Sequence, residues 1–339
     1  MPRNPMQTHP AKSVVKKILR PVVLPPLAAF QYLRARRIVR DYAANYRKSR
    51  ALYRAEGQPE ARAISSLDRL GVRVVAPDGG SGNVIALPPN YESLVARVAA
   101  DVARQFEVTE NCMFMPRLDH SAREPRTADV PAVKGGEIIS LQLKNAMTVD
   151  GVLDLGEAVL PEVERRLFGA YVIVDKVYIY RNLVTQQQEQ VSWLWHYDNH
   201  PTEVMKIMIY LTDVGPLNAP FEYVRRIDSG EPVQYPPRPL LGNSRVSEAH
   251  VRELLASGHE AVKVTGPRGT MLIFDDNVLH RATFAKEGRR DALVYQIRPA
   301  VFKPHERLDR RWSGSFEHVD FNRRPDDYQV RLKAHRFSG

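Results

Sequence analysis

Three residues of this 339-residue chain have types and spacing that suit a metal: His196 and Asp198, one residue apart, and His280, 82 residues further on. Two imidazoles and one carboxylate form the ligand set of a mononuclear non-haem iron(II) centre, which wants borderline nitrogen donors, one anionic oxygen and open positions. On a strand end, side chains alternate, so His196 and Asp198 would share a face and Tyr197 would point away. Alone, the His-x-Asp pair is weak, because a chain with ten histidines will contain such a pair by chance often enough. A lone His280 reads equally well as a loop histidine. Arg290 adds a fourth group, 10 residues after His280 and just ahead of the apolar run Ala292–Ile297. A guanidinium entering a strand there could grip a carboxylate through two parallel hydrogen bonds. Arg289 has the opposite parity, so one of the two should face inward and the other outward. The plain alternative is that both are surface charges.

The elements that must position these residues are legible from period and punctuation. Tyr171–Tyr180, Lys206–Leu211, Phe221–Val224, Ala261–Val264, Thr270–Phe274 and Ala292–Ile297 are rich in β-branched and aromatic residues and predict strands. Leu94, Val95, Val98 and Val102 recur at helical spacing behind Asn90, a candidate N-cap. A second helical block ends in Leu155–Phe168 before Gly169, and Ser247 should cap a helix to Ala256 that stops near Gly258. Leu67–Val75 reads as a helix end, a glycine C-cap at Gly71 and a short strand. Pro77–Asn83, Arg117–Gly136 and Gln186–Gln190 read as turns or loops, and the proline-rich Glu231–Asn243 as an insertion or lid. Helices first and strands later predict a mostly β fold with flanking helices: an antiparallel jelly-roll body wrapped by N-terminal helices.

Residues 1–59 read as a basic, partly helical arm, 60–305 as the main domain and 306–339 as a charged C-terminal extension. The single cysteine, Cys112, excludes an intramolecular disulfide and a multi-cysteine zinc site, and suits a reducing cytoplasm. Pro21–Phe30 follows basic residues as in a signal peptide, but its three prolines should break an apolar helix, and it reads as uncleaved. Nothing reaches the ~18 apolar residues of a membrane span. Within the arm, Leu33–Arg40 mixes apolar and basic positions. Two readings stand: a helix packed on the body with a solvated basic face, which is favoured, and peripheral contact with an anionic membrane. The net charge of +10 would suit a nucleic acid, a lipid surface or an anionic substrate. No nucleic-acid motif accompanies it, so no nucleic-acid partner is expected.

The order of Trp195-His196-Tyr197-Asp198, Met208–Asp213, Asn218–Val224, Gly269–Asp275, Leu279-His280-Arg281 and Arg290–Leu293 resembles the phytanoyl-CoA dioxygenase-like (PhyH) family of Fe(II)/2-oxoglutarate-dependent oxygenases. The resemblance spans roughly residues 138–304. It implies a double-stranded β-helix, the cupin-like form of the jelly roll, with His196, Asp198 and His280 as iron ligands. It implies Arg290 as the anchor of 2-oxoglutarate, with Met208 and Tyr210 lining the cosubstrate pocket and Gln190 pointing inward. The reaction implied consumes O2 and 2-oxoglutarate and releases succinate and CO2. A carboxylate at Asp198, where halogenating relatives carry a small residue, argues for hydroxylation of a small-molecule substrate. The basic balance suggests that this substrate is anionic or carrier-linked. Two departures bear on the substrate mouth: Arg225-Arg226-Ile227-Asp228 stands where relatives have Pro-Gly-Ser-His, and Arg281-Ala282-Thr283 where they have Gly-Ser after the histidine. Two rivals are kept: a cupin-like metalloenzyme that does not use 2-oxoglutarate, and a non-catalytic basic binding protein.

Overall fold

Alternation along the strands sorts the apolar residues into two cores, one on each face of a large sheet. The computed structural model describes residues 11–58, 71–79, 83–114, 140–184, 193–238 and 244–308. Its strands are β1 (Val72–Val75), β2 (Cys112–Phe114), β3 (Ser140–Leu143), β4 (Val172–Leu183), β5 (Met205–Tyr210), β6 (Phe221–Arg226), β7 (His259–Val264), β8 (Met271–Asp275), β9 (His280–Ala282) and β10 (Arg289–Pro299). Its α-helices are α1 (Ala11–Ala55), α2 (Tyr91–Phe106), α3 (Val152–Val163) and α4 (Glu248–Ala256).

The large sheet has the order β1-β8-β5-β10-β4-β3-β2 and the small one β7-β6-β9, and their paired strands run antiparallel. His196 extends the small sheet by one rung, exchanging backbone hydrogen bonds with His280 at 3.0 and 2.9 Å. From β4 onward the chain visits the large sheet, His196, β5, then β6 and β7, then β8, β9 and β10. That alternation between two facing sheets is the double-stranded β-helix, and it bears out the expected jelly-roll fold.

Even-numbered residues of β5, β8 and β10 (Met208, Tyr210, Leu272, Phe274, Ala292, Val294) face the small sheet and meet Phe221 and Tyr223 from β6. Odd-numbered ones (Ile207, Ile209, Met271, Ile273, Leu293, Tyr295) face outward onto Leu94, Val98, Val102, Leu155 and Val159 of α2 and α3. A one-residue slip would exchange the two sets, so burial on both faces fixes the register.

The helices begin and end near the expected points. Ser247 Oγ accepts from His250 N at 3.2 Å, capping α4, and Gly258 (φ +87°) follows its end. Asn90 precedes α2, but its side chain makes no capping hydrogen bond, which corrects the expected cap. α3 continues as a π-helical turn over Glu164–Phe168 before Gly169, which has φ +63°.

Two further expectations change, and one element gains an anchor. α1 runs through Pro21, Pro25 and Pro26 without the expected break; each proline removes one backbone hydrogen bond, a local cost in a 45-residue helix. Within Glu231–Asn243, the described residues 231–238 are docked rather than lid-like: Val233 N donates to Val224 O at 2.8 Å and Tyr235 N to Asn277 O at 3.0 Å. The start of the C-terminal extension is anchored, with Arg307 Nη2 2.7 Å from Glu164 Oε2 and Leu308 buried. The expectations for Leu67–Leu70, Arg117–Gly136 and Gln186–Gln190 lie outside the described residues, as does all of 309–339.

The second half of α1 packs on the body, as favoured. Tyr46 Oη donates to Phe168 O at 2.7 Å, Ser49 Oγ to Tyr171 O at 2.9 Å, and Ile38 and Tyr42 pack on Val204.

Candidate metal centre

His196 and His280 face each other across their shared backbone bridge, and Asp198 lies beside them. One ligand atom from each of the three falls within 4.8 Å of the others. His196 Nε2 is 3.8 Å from Asp198 Oδ1, and His280 Nε2 is 3.6 Å from Asp198 Oδ2. Those separations are long for hydrogen bonds and near the ~3 Å spacing of two ligands that share one ion through ~2.1 Å bonds.

The tautomers follow from the other ring nitrogens. His196 Nδ1 lies 2.8 Å from Leu194 O, and His280 Nδ1 2.8 Å from Val278 O. A carbonyl only accepts, so Nδ1 carries the proton in each ring and the Nε2 lone pair faces Asp198. Burial, helped by the neighbouring His280, lowers His196 to about 3 despite Asp198, and burial also lowers His280. Both imidazoles are therefore neutral near pH 7, the state that binds metal. Phe221 stacks on His280 with ring centroids 5.1 Å apart, and Phe274 meets it edge-on at 5.6 Å.

The segment around His196 is not a regular strand; a single bridge and its neighbours hold it. Tyr197 turns away from the triad, as expected, and stacks on Tyr235 with centroids 4.9 Å apart. Asn199, with φ +58°, exchanges hydrogen bonds with the backbone of Arg238 at 2.6 and 3.0 Å. Asn277 Nδ2 donates to His200 O at 2.9 Å, and His200 pairs with Asp276. The proline-rich insertion thus braces the segment bearing His196 and Asp198.

Lys206 is a residue that motif reading missed. Its Nζ lies 2.5 Å from Asp198 Oδ2 and 3.8 Å from Asp276 Oδ1. Burial pushes the Lys206 ammonium down, but Asp198 and Asp276 outweigh it and carry it above the usual lysine range. Burial likewise pushes Asp198 up, and Lys206 with the imidazoles overrides that, holding the carboxyl below its usual range. The signal was available: Lys206 interrupts an apolar strand at the same parity as Met208 and Tyr210.

Arg290 and Arg289 divide as parity requires. Arg289 lies at the surface beside Asp291, with Nε 3.4 Å from Oδ2. Arg290 is 1 % exposed, and its Nε and Nη1 have no hydrogen-bond partner. Its guanidinium carbon sits 5.6 Å from the Tyr180 ring centre and 5.9 Å from that of Tyr210. Met208 is buried on the same inner face and lies 3.7 Å from Tyr180 Oη. Tyr210 Oη donates to Val264 O at 2.9 Å and accepts from Phe221 N at 3.2 Å, so its ring rather than its hydroxyl is offered to a ligand. Phe221 links the two ends of the site, touching His280 through its ring and Tyr210 through its backbone. Gln190 lies outside the described residues.

Arg226 forms a two-pronged ion pair with Asp228, and Arg225 pairs with Glu260 on β7, so both arginines of the unusual Arg225–Asp228 stretch are engaged. Arg281 lies over the Trp195 ring at 4.4 Å and binds Glu222 at 2.6 Å.

No family model matches the chain, and neither does any curated protein. Among solved structures, it is similar to EctD from S. alaskensis with bound Fe (19% identity, 72% of this chain and 79% of that one, TM-score 0.47). It is also similar to the epimerase SnoN in complex with Fe3+, alpha ketoglutarate and nogalamycin RO (14%, 77% and 87%, TM-score 0.46). A third is the non-heme alpha ketoglutarate dependent carbocyclase SnoK from nogalamycin biosynthesis (14%, 72% and 87%, TM-score 0.45). Likeness at this level leaves the chemistry of this chain to its own residues.

Proposed function

We propose that the protein is an Fe(II)/2-oxoglutarate-dependent oxygenase that hydroxylates a small molecule, with His196, Asp198 and His280 holding the metal and Arg290 anchoring the cosubstrate. The observation that carries this reading is Arg290: a fully buried guanidinium with two unpartnered donors, on the inner face that also receives the triad. A buried cation with unpaired donors and no counter-charge bonded to it is costly, and a carboxylate supplies both the charge and the acceptors.

With iron and 2-oxoglutarate bound, the metal and cosubstrate supply the oxidising chemistry with O2, yielding succinate and CO2. The chain contributes position. Lys206 holds Asp198 Oδ2, the carbonyls of Leu194 and Val278 aim the two Nε2 lone pairs, and Arg290 grips the far carboxylate. Phe221, Phe274 and Met208 provide dry walls. The narrower likeness to phytanoyl-CoA dioxygenases rests on the sequence motifs alone. An anionic or carrier-linked substrate draws no support from net charge, because the basic excess lies in the first 40 residues and not in the barrel.

The decisive measurement is anaerobic titration of the full chain with Fe(II) and 2-oxoglutarate, followed by succinate release in air across a substrate panel. Succinate formation should require iron and vanish in His196→Ala. Wild-type succinate formation in that variant, or no 2-oxoglutarate binding by the iron-loaded protein, would sink the proposal. Metal binding without 2-oxoglutarate binding would instead favour the cupin-like alternative.

A further inference from the structure

Nine lysines and arginines and no aspartate or glutamate fall in the first 40 residues; the other 299 residues carry a net charge of only +1. The basicity of the molecule is therefore a property of one segment, and α1 carries that segment from Lys12 to Arg40. Where its side chains are described, the helix has two distinct sides. At ~100° per residue, Ala35, Ile38 and Tyr42 fall on one arc, and all three are buried against the body. Phe30, Leu33, Arg36, Arg37 and Arg40 fall on the opposite arc, and Tyr32 lies on the flank between the two. Phe30 is 62% exposed, Leu33 64% and Tyr32 49%. A solvated helix face has no need of two large apolar side chains among its arginines, whereas an interfacial helix needs both.

The preceding stretch has the same character. Pro21–Phe30 is free of charge and lies between Lys16, Lys17 and Arg20 on one side and Arg34, Arg36 and Arg37 on the other. Ten residues fall well short of the ~20 that span a bilayer, and no described helix is long and apolar enough to cross one.

We propose that the outer face of α1 docks the protein on an anionic lipid bilayer. Its arginines lie against the headgroups, and Phe30 and Leu33 enter the boundary with the acyl chains. A nucleic acid would answer the charge but leave the apolar side chains in water, so the lipid surface is the better match. The inference does not depend on the chemistry inside the barrel.

The test is co-sedimentation of the full chain with vesicles of phosphatidylcholine alone or containing about 30% phosphatidylglycerol. Binding should require phosphatidylglycerol and weaken in high salt. The triple variant Arg36→Glu, Arg37→Glu, Arg40→Glu should bind about 100-fold more weakly, taking about fivefold per basic residue. Phe30→Ser with Leu33→Ser should lose about tenfold at unchanged charge. Both variants should keep the wild-type melting temperature, since none of the five positions is buried. No binding, equal binding to neutral vesicles, or wild-type binding by the Phe30/Leu33 variant would each overturn the proposal; the last would leave only adsorption of a polycation.

Discussion

At the scale of single residues, Arg290 separates function from stability. Its unpartnered Nε and Nη1 cost the ligand-free protein about 1–3 kcal/mol as buried unsatisfied donors. Arg290→Met should therefore leave the apoprotein as stable or raise its stability, while weakening 2-oxoglutarate binding by about 100-fold or more. Urea unfolding and calorimetric titration of the iron-loaded protein check both halves. Loss of stability together with unchanged affinity would mean that Arg290 has a packing role. Lys206 works in the opposite sense, since it is partnered already. Its ammonium occupies Asp198 Oδ2 and thereby leaves Oδ1 turned toward His196. Motif reading singled out the three candidate ligands because residue types and spacing are enough to nominate them. It missed Lys206, Asp276 and Asn199, whose roles exist only once distant segments meet.

At the scale of elements, the small sheet does most of the positioning, through backbone pairing. His196 needs no strand of its own, because two hydrogen bonds to His280 set both imidazoles side by side. β8 is started by Gly269 at φ +92°, whose N donates to Tyr210 O at 2.8 Å and whose carbonyl accepts from Tyr91 Oη at 2.7 Å. An added Cβ would lie 3.1 Å from Pro77 Cβ. Gly269→Ala should cost about 1–2 kcal/mol from the left-handed backbone alone, measured as a lower urea midpoint at unchanged slope. A stability loss under about 0.5 kcal/mol would show that the turn relaxes. The glycine was visible as the head of an apolar run, but its conformation and contacts were not. The strands are legible from alternation but their ends are not: β10 begins at Arg289, so that Arg290 pairs with Asn182 within the sheet.

At the scale of the whole molecule, the buried imidazoles link folding to pH. His196 is held at about 3 in the fold by burial and by His280, while an unfolded histidine titrates near 6.5. Above that pH both states leave it neutral, and there is no effect. As pH falls below ~6.5 the unfolded chain takes up a proton that the folded one refuses, so stability drops steadily down to pH 3. At pH 4.5 His196 alone should contribute a loss of roughly 3 kcal/mol in the metal-free protein. The low Asp198 adds its own loss only as pH falls through the ordinary carboxylate range near 4 and below. Denaturant midpoints between pH 7.5 and 4.5 check this, and the drop should shrink in His196→Gln. An unchanged drop in that variant would place the acid sensitivity elsewhere.

The sequence by itself determined the alternating strands, the candidate ligands and the opposite parity of Arg289 and Arg290, because strand period and residue chemistry are local properties. It also placed the charge, since nine basic residues stand ahead of the first acid. Only the tertiary structure decided that three residues spread over 85 positions lie within 4.8 Å of one another. Only it decided that Lys206 completes Asp198, that two buried donors of Arg290 go unpaired, and that α1 turns one face inward and another outward. Each of these is a meeting of segments distant in sequence, brought about by burial of the two cores and by strand pairing, and no window of residues contains it.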